Sequence, residues 1–436
     1  MTADEVLALA RENAVEFVDL RFVTLTGRTG HTTLPIEELS ASAIQRGVAG
    51  GAAVPNDRLL VPATDTAVID PFCQHSTLAL LCDVMIAATG DDAPDDPRAV
   101  ARRAQEHLRA TGIADEARFG VEIEFFVFDQ VCYEQQVNAA RYQVDSREGA
   151  WQSGRDEPDN LGTQPRYGEG ALALAPADSL HNLRAEMVAA LTACGIRARG
   201  HRHGAATGGQ AAIRLAPVPL LRAADQVTTC KYVVRNVAAR HGKVATFMPK
   251  PLAGEHGSGL AASLSLVKGE QPLLCDPERA ALREAGRWAA GGWTRHATSL
   301  LALTCPTTNS YRRLAAEFRA PRTPARVPQP SLEIDGLAFP VADPSCNPYL
   351  AFSALLMAAL DGIAGRVDAG PSDAHRLPGG LEDALRGLTR DHAYLCAAGV
   401  FHEEMIREWD SMKRHDEVLA LSMRPHPYEF CLYFDV

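Results

Sequence analysis

The chain is 436 residues long, 46% hydrophobic and 22% charged, and its 43 Lys and Arg against 54 Asp and Glu give a formal net charge of −11. At about 100–200 residues per domain, this length predicts two or three domains and a large core. The acidic balance argues against a general nucleic-acid binder, and no apolar run reaches the ~20 residues of a membrane span.

The opening segment, MTADEVLALARENAVEF, is acidic and amphipathic rather than charged-then-apolar, which points to a cytoplasmic protein. Ala3 to Asn13 has helical spacing, Val15 to Thr24 is strand-like, and Gly27 and Gly30 mark a turn before a short strand from His31 to Leu34. That order is a hairpin signal. Residues 59–70 and 77–83 follow as strands, and ATGDDAPDDPRAV reads as a linker that closes a small α/β unit. A helix is predicted through Arg102 to Ala110 and a strand over Phe119 to Phe128. Residues 133–170 are polar and Gly-rich and are expected to form an extended surface loop. Then come a helix over Ser179 to Cys194 capped by Asp178 or Ser179, a long helix over Leu221 to His241, a strand over Ala261 to Val267, and a helical segment over Cys346 to Ile363 opened by Asn347-Pro348. The ten cysteines include no CxxC pair and read as reduced core residues. Cys346 has no identifiable His partner.

The clearest chemical signal is GVEIEFF. Glu122 and Glu124 are two apart on a predicted strand, so both carboxylates share a face. Such a pair repels, and one member must protonate unless a cation sits between them. Hard oxygen ligands suit Mg²⁺ or Mn²⁺. A solvated strand face is the plainer reading, but Val121, Phe125 and Phe126 argue for burial. His201 and His203 alternate around Arg202 and would also share a face; a polar site without metal is the preferred reading there.

The blocks FVDLRFVTLTGRTGHTTLP, TDTAVIDPF, GVEIEFFVFD, KYVVRNVAARHGKVATFMPKP, GSGL, TTNSYRRL, DPSCNPYLAFSALLMAALDGI and RPHPYEFCLYFDV are collinear across nearly the whole chain and resemble bacterial type I glutamine synthetase. The resemblance implies an α+β glutamine synthetase fold. It comprises a β-grasp-like N-terminal domain, residues 1–96, and a large C-terminal α/β catalytic-type domain, residues 97–436, with a curved antiparallel sheet. It also implies a homo-oligomer of stacked hexameric rings, with each site shared between neighbours. The family's chemistry is ATP-dependent activation of glutamate as γ-glutamyl phosphate, displaced by ammonia, with carboxylates and a His holding divalent metals.

Against that pattern the site is depleted. Glu122 and Glu124 match the family's metal-binding Glu pair, but the other ligand positions fall on Gly204, Ala212, Ala261 and Ala338. Glu333 could replace the last only with an insertion. Gly50 stands where the family's ammonium-binding Asp loop begins, Arg319 where the flap Glu stands, and Arg199 where an ATP-side Glu stands. An Arg cannot take a proton from ammonium. Gly257 and Arg313 match substrate-binding positions, Lys250 and Ser265 nucleotide-side positions, and Asn347 is also kept. Arg202 and Arg319 bring positive charge suited to a small anionic or glutamate-like ligand, and the small residues at the ligand positions are expected to leave space. An Arg is expected to neutralise Glu122 and Glu124 in place of metal. No cofactor is expected, with Mg²⁺ or Mn²⁺ and ATP entering only if part of the ancestral function is kept. The expected function is a homologue without ATP-dependent glutamine synthesis, acting as a small-anion binder or a regulatory or scaffold oligomer. The alternative is a repurposed γ-glutamyl-amine ligase using a non-ammonia amine.

Overall fold

Thr2 opens the first helix, α1 (Ala3–Glu12), with a capping box: its hydroxyl accepts the Glu5 N–H while the Glu5 carboxylate takes the Thr2 N–H. The computed structural model describes all residues except 159, 277–280, 319–330, 334–335 and 369–376, and the side chains at 53, 318 and 331–333. After α1 come β1 (Phe17–Val23), β2 (Thr29–Pro35), α2 (Ala41–Arg46), β3 (Val48–Ala49), β4 (Arg58–Pro62), β5 (Val68–Ile69) and β6 (Thr77–Ile86). The sheet runs β2-β1-β6-β4-β3, with β1 and β6 parallel and β5 paired to β6. Its alternating apolar residues, among them Val18, Leu20, Leu60, Leu78 and Leu80, pack with Val6 and Ala10 of α1 into a core of their own. The single strand expected over 59–70 is two. Pro62 ends β4, and the polar Thr64–Thr66 turn re-aims the chain before β5.

The second sheet is antiparallel and runs β10-β11-β7-β13-β18-β17. Its members are β7 (Glu116–Phe128), β10 (Ala198–His203), β11 (Gln210–Pro219), β13 (Leu260–Lys268), β17 (Ser331–Glu333) and β18 (Gly336–Phe339). Short β12 (Val244–Thr246) and β14 (Gln271–Pro272) add to β7 and β13, and β15 (Cys275–Asp276) pairs with β16 (Ala281–Leu282). Along β7 the odd residues Phe119, Val121, Ile123 and Phe125 are buried. They belong to the large core that also holds α3 (Pro97–Thr111), α4 (His181–Ala193) and α5 (Leu220–Arg240). The helices α6 (Glu284–Arg295), α7 (Ala297–Thr304), α8 (Thr308–Phe318), α9 (Pro348–Ala364) and α10 (Leu381–Arg390) also contribute to that core, as do Leu395, Met405 and Trp409 beyond them. The period of two leaves the even residues, Glu122 and Glu124 among them, on the opposite face.

Residues 133–170 are not one loop. β8 (Gln130–Gln135) and β9 (Ala140–Asp145) form a hairpin with Val131 opposite Val144 and Tyr133 opposite Tyr142. The valines pack against Phe126, Phe128 and Ala206, so a short apolar alternation prevails over the polar composition. Nor do Asp178 or Ser179 cap α4. Leu180 precedes it without a side-chain cap, and the Glu148 carboxylate, brought from a distant loop, accepts the Ser179 and Leu180 N–H groups at 2.6 and 3.1 Å.

Two polar clusters join the sheets. Arg98 of α3 donates to both Asp225 oxygens, at 3.1 and 3.2 Å, and to Asp83 of β6 at 2.7 Å, while the Tyr349 hydroxyl donates to Asp225 at 2.7 Å. Asn347 caps α9 by accepting the Tyr349 N–H, and its amide donates to Thr24 and Leu25 carbonyls at 3.2 and 3.1 Å, which pins the β1–β2 turn. Gly27 in that turn has φ +80 and lies so close to Asn347 that a Cβ would meet it at 3.2 Å. Among the described residues, no helix is long and apolar enough to cross a membrane.

Candidate functional site

Strand register assembles the site. Glu124 of β7 lies opposite Ala212 of β11, and Glu122 lies between Arg214 of β11 and Ala261 of β13. Arg202 of β10 sits beyond Ala212, and Ala338 of β18 opposite Ser263. Positions spread over 200 residues of sequence thus share one face of one sheet. Where carboxylates or imidazoles could have projected toward Glu122 and Glu124, β11, β13 and β18 present methyl groups.

The Arg202 guanidinium spans the two carboxylates. Its Nη2 lies 2.5 Å from Glu122 Oε1 and 3.0 Å from Glu124 Oε1, with Nε 3.1 Å from Glu122 Oε1. Arg214 adds a second cation at 3.3 Å from Glu122 Oε2, and the Gly259 N–H donates to Glu124 Oε2 at 2.8 Å. Two carboxylates therefore meet two guanidiniums, and all four carboxylate oxygens are engaged. Burial pushes the Glu124 carboxyl above the usual range, although Gly259 and Arg202 pull the other way. Burial lowers the Arg202 pKa, but hydrogen bonding and attraction to Glu122 more than offset it. Arg214 was missed in the sequence. Its position two residues after Ala212, hence on the same strand face, is the signal that marks it.

Space was expected at all the depleted positions, and Gly204 corrects this. A Cβ there would meet the Gln210 side chain inside 3.0 Å. Gln210 is held by the Ala206 N–H at 2.7 Å and by donation to the Gly257 carbonyl at 2.8 Å. The small residue accommodates a fixed glutamine rather than an open coordination position. These residues do not fit the divalent ions of the family's chemistry. Ala212, Ala261 and Ala338 offer no donor atoms, and the two remaining carboxylates already face guanidiniums.

Glu148, Asp178 and His203 also converge, with ligand-type atoms within 4.8 Å of one another and all three residues buried. Each is already satisfied. Arg184 pairs with both Asp178 oxygens at 2.8 and 2.6 Å, and Glu148 Oε1 holds the start of α4. His203 Nδ1 faces the Gly204 carbonyl at 2.8 Å and Nε2 faces Glu148 at 3.2 Å. Two acceptors call for two N–H donors, so the ring is favoured as imidazolium; burial alone would lower its pKa, but Glu148 and the carbonyl raise it. The His203 ring thus fills the centre of this triad. His201 lies edge-on to His181, with ring centroids 5.2 Å apart.

The remaining predicted residues are dispersed or turned inward. Arg313 is buried, donating to Glu317 at 3.0 Å, to Ala342 O at 3.3 Å and to Val341 O. The Gly257 N–H also donates to Glu317, at 3.0 Å. The Lys250 ammonium donates to the Glu255 carbonyl, and Ser265 lies opposite Arg118 at the far end of β13. Gly50 is buried in the N-terminal unit. Arg319 lies outside the described residues.

A family model described as glutamine synthetase, catalytic domain, matches residues 94–433. The glutamine synthetase of Frankia alni is 39% identical, with 100% of this chain and 99% of the relative covered. Among solved structures, a Plasmodium falciparum glutamine synthetase superposes with a TM-score of 0.88 at 22% identity over 99% of each chain. Apo GmaS superposes with a TM-score of 0.78 at 26% identity, covering 98% of this chain and 99% of that one.

Proposed function

Since the chain belongs to the glutamine synthetase family, we propose that it is a member in which divalent-metal phosphoryl chemistry has been given up. It holds a small anionic or glutamate-like ligand, or serves as a regulatory or scaffolding homo-oligomer, without ATP-dependent glutamine synthesis. The supporting observation is Arg202 lying across Glu122 and Glu124. Phosphoryl transfer rests on positioning and charge stabilisation, much of it from metal ions. Loss of even an outer-shell partner of a metal ligand typically costs about 10–100-fold, so four absent ligands cost far more. In this reading the chain divides into domains 1–96 and 97–436, assembles as stacked hexameric rings and works in the cytoplasm. It uses neither Mg²⁺, Mn²⁺ nor ATP as cofactor and engages neither nucleic acid nor membrane. The test is ATP hydrolysis with Mg²⁺ or Mn²⁺, glutamate, and ammonia or an amine panel. No turnover above background is expected, and robust turnover overturns the proposal.

One observation favours a second reading, a γ-glutamyl-amine ligase using a non-ammonia amine. Gly257, Lys250, Ser265 and Arg313 are kept, and the chain is similar to GmaS, which has also been solved as an ADP complex. Turnover with an organic amine but not with ammonia would select it.

A further inference from the structure

A cavity sharing no lining residue with the Arg202 site lies where the β1–β2 turn meets α5. It encloses about 840 Å³, within the range of small-molecule sites. Arg28 reaches it from the turn, and Lys231 and Arg235 from α5, while no Asp or Glu among the described residues lines it. Phe247, Met248 and Pro249 supply an apolar wall.

Three features set these cations apart from an ordinary basic surface. Lys231 and Arg235 are four apart on one helix, so like charges face the same way, an arrangement that destabilises an isolated helix. Their partners are few. The Lys231 ammonium donates to the Cys346 carbonyl at 3.2 Å, and among the described residues neither Arg28 nor Arg235 has a carboxylate within ion-pair distance. Arg235 instead lies over the Phe247 ring, 5.2 Å from its centroid. Arg21, Arg58, Arg98, Arg102, Arg202 and Arg214 are paired with carboxylates, whereas Arg222 and Arg240 of α5 donate to the Asp65 and Pro71 carbonyls. Burial, and to a lesser degree Arg235, lowers the Lys231 pKa; Asp343 pulls it up, but one of its oxygens is engaged with Ser345 and it does not line the cavity. Finally, the turn that carries Arg28 is pinned by Asn347, so the site is formed before any ligand arrives.

We propose that this cavity binds a small polyanion, a compact molecule with clustered phosphate or carboxylate oxygens, held by Arg28, Lys231 and Arg235 across the junction of the two sheets. Forked guanidiniums and a point ammonium suit such oxygens, and the Phe247 wall accommodates a nonpolar body. Because the ligand touches both the β1–β2 turn and α5, binding also braces the N-terminal unit against the larger core.

Calorimetric titration of the full-length protein with pyrophosphate, and separately with citrate, tests this, with EDTA present and sodium chloride as the ionic-strength control. Saturable binding at one site per chain is expected for at least one probe, and the better probe identifies the oxygen chemistry. Arg28→Gln and Arg235→Gln are surface changes that preserve folding. Each should weaken affinity about tenfold or more, as expected for loss of a charge-assisted hydrogen bond. Arg141→Gln, an exposed cation on the β8–β9 hairpin outside the cavity lining, should leave affinity unchanged, which separates a built site from general charge attraction. Failure of both probes to bind at millimolar concentration overturns the proposal. So does binding that is indifferent to Arg28→Gln and Arg235→Gln, or binding weakened as much by Arg141→Gln.

Discussion

Replacing Arg202 by Ala is the most informative perturbation. It removes the guanidinium 2.5 Å from Glu122 and 3.0 Å from Glu124 and leaves Arg214 as the remaining cation beside the pair. At 4 Å, two unit charges interact by about 1 kcal/mol in water and about 4 kcal/mol at an effective dielectric of 20. The Glu side chains are 19% and 21% exposed and Arg202 is 46% exposed, so solvent screens much of this. A net loss of about 1–3 kcal/mol is expected, read as a fall in Tm at neutral pH. The second consequence is more telling. Wild type should show no stabilisation by Mn²⁺, whereas Arg202→Ala frees the Oε1 atoms of both carboxylates and should recover stability as Mn²⁺ is added. Occupancy at about 100 times Kd would return roughly 2.7 kcal/mol. Thermal denaturation with and without Mn²⁺, together with Mn²⁺ titration followed by electron paramagnetic resonance, measures both effects. Micromolar Mn²⁺ binding by wild type, lost in Glu122→Gln/Glu124→Gln, would refute the reasoning.

Adding a single carboxylate should not create a metal site. Gly204→Glu forces the Gln210 side chain out of its two hydrogen bonds and should destabilise the protein by about 1–3 kcal/mol without conferring ATPase activity, checked by Tm and phosphate release. Arg98→Met strands the buried Asp225 beside Asp83 and should cost about 3–5 kcal/mol, with limited proteolysis appearing first at the junction of the two sheets. His296 faces Asp391 at 2.8 Å and Asp361 at 2.9 Å; burial lowers its pKa, but the two carboxylates raise it above its ordinary value. Its stabilisation is therefore fully present below the unfolded value of about 6.5 and lost as pH rises through the higher folded value. His296→Gln should flatten the fall in Tm over that window, retaining the share due to His203, whose shift has the same sign.

Local pattern carried much of this protein. The alternation of Phe119, Val121, Ile123 and Phe125 already placed Glu122 and Glu124 on a common face, because side-chain direction along a strand is a property of neighbouring residues. Asn347-Pro348 announced the start of α9 because capping is equally local. The collinear blocks established the family, and the residues at 204, 212, 261 and 338 could be read without coordinates. What lay beyond the sequence depended on register between distant strands. Arg214 and Ala261 flank Glu122 only because β11 and β13 pair with β7 from either side. Which cation answers the Glu pair, whether the space beside Gly204 is open or filled by Gln210, and where Arg28 meets Lys231 and Arg235 are long-range questions. A residue's type fixes what it can bind, but hydrogen bonding and screening act over a few ångströms in space, and only the folded chain decides which groups come within that range.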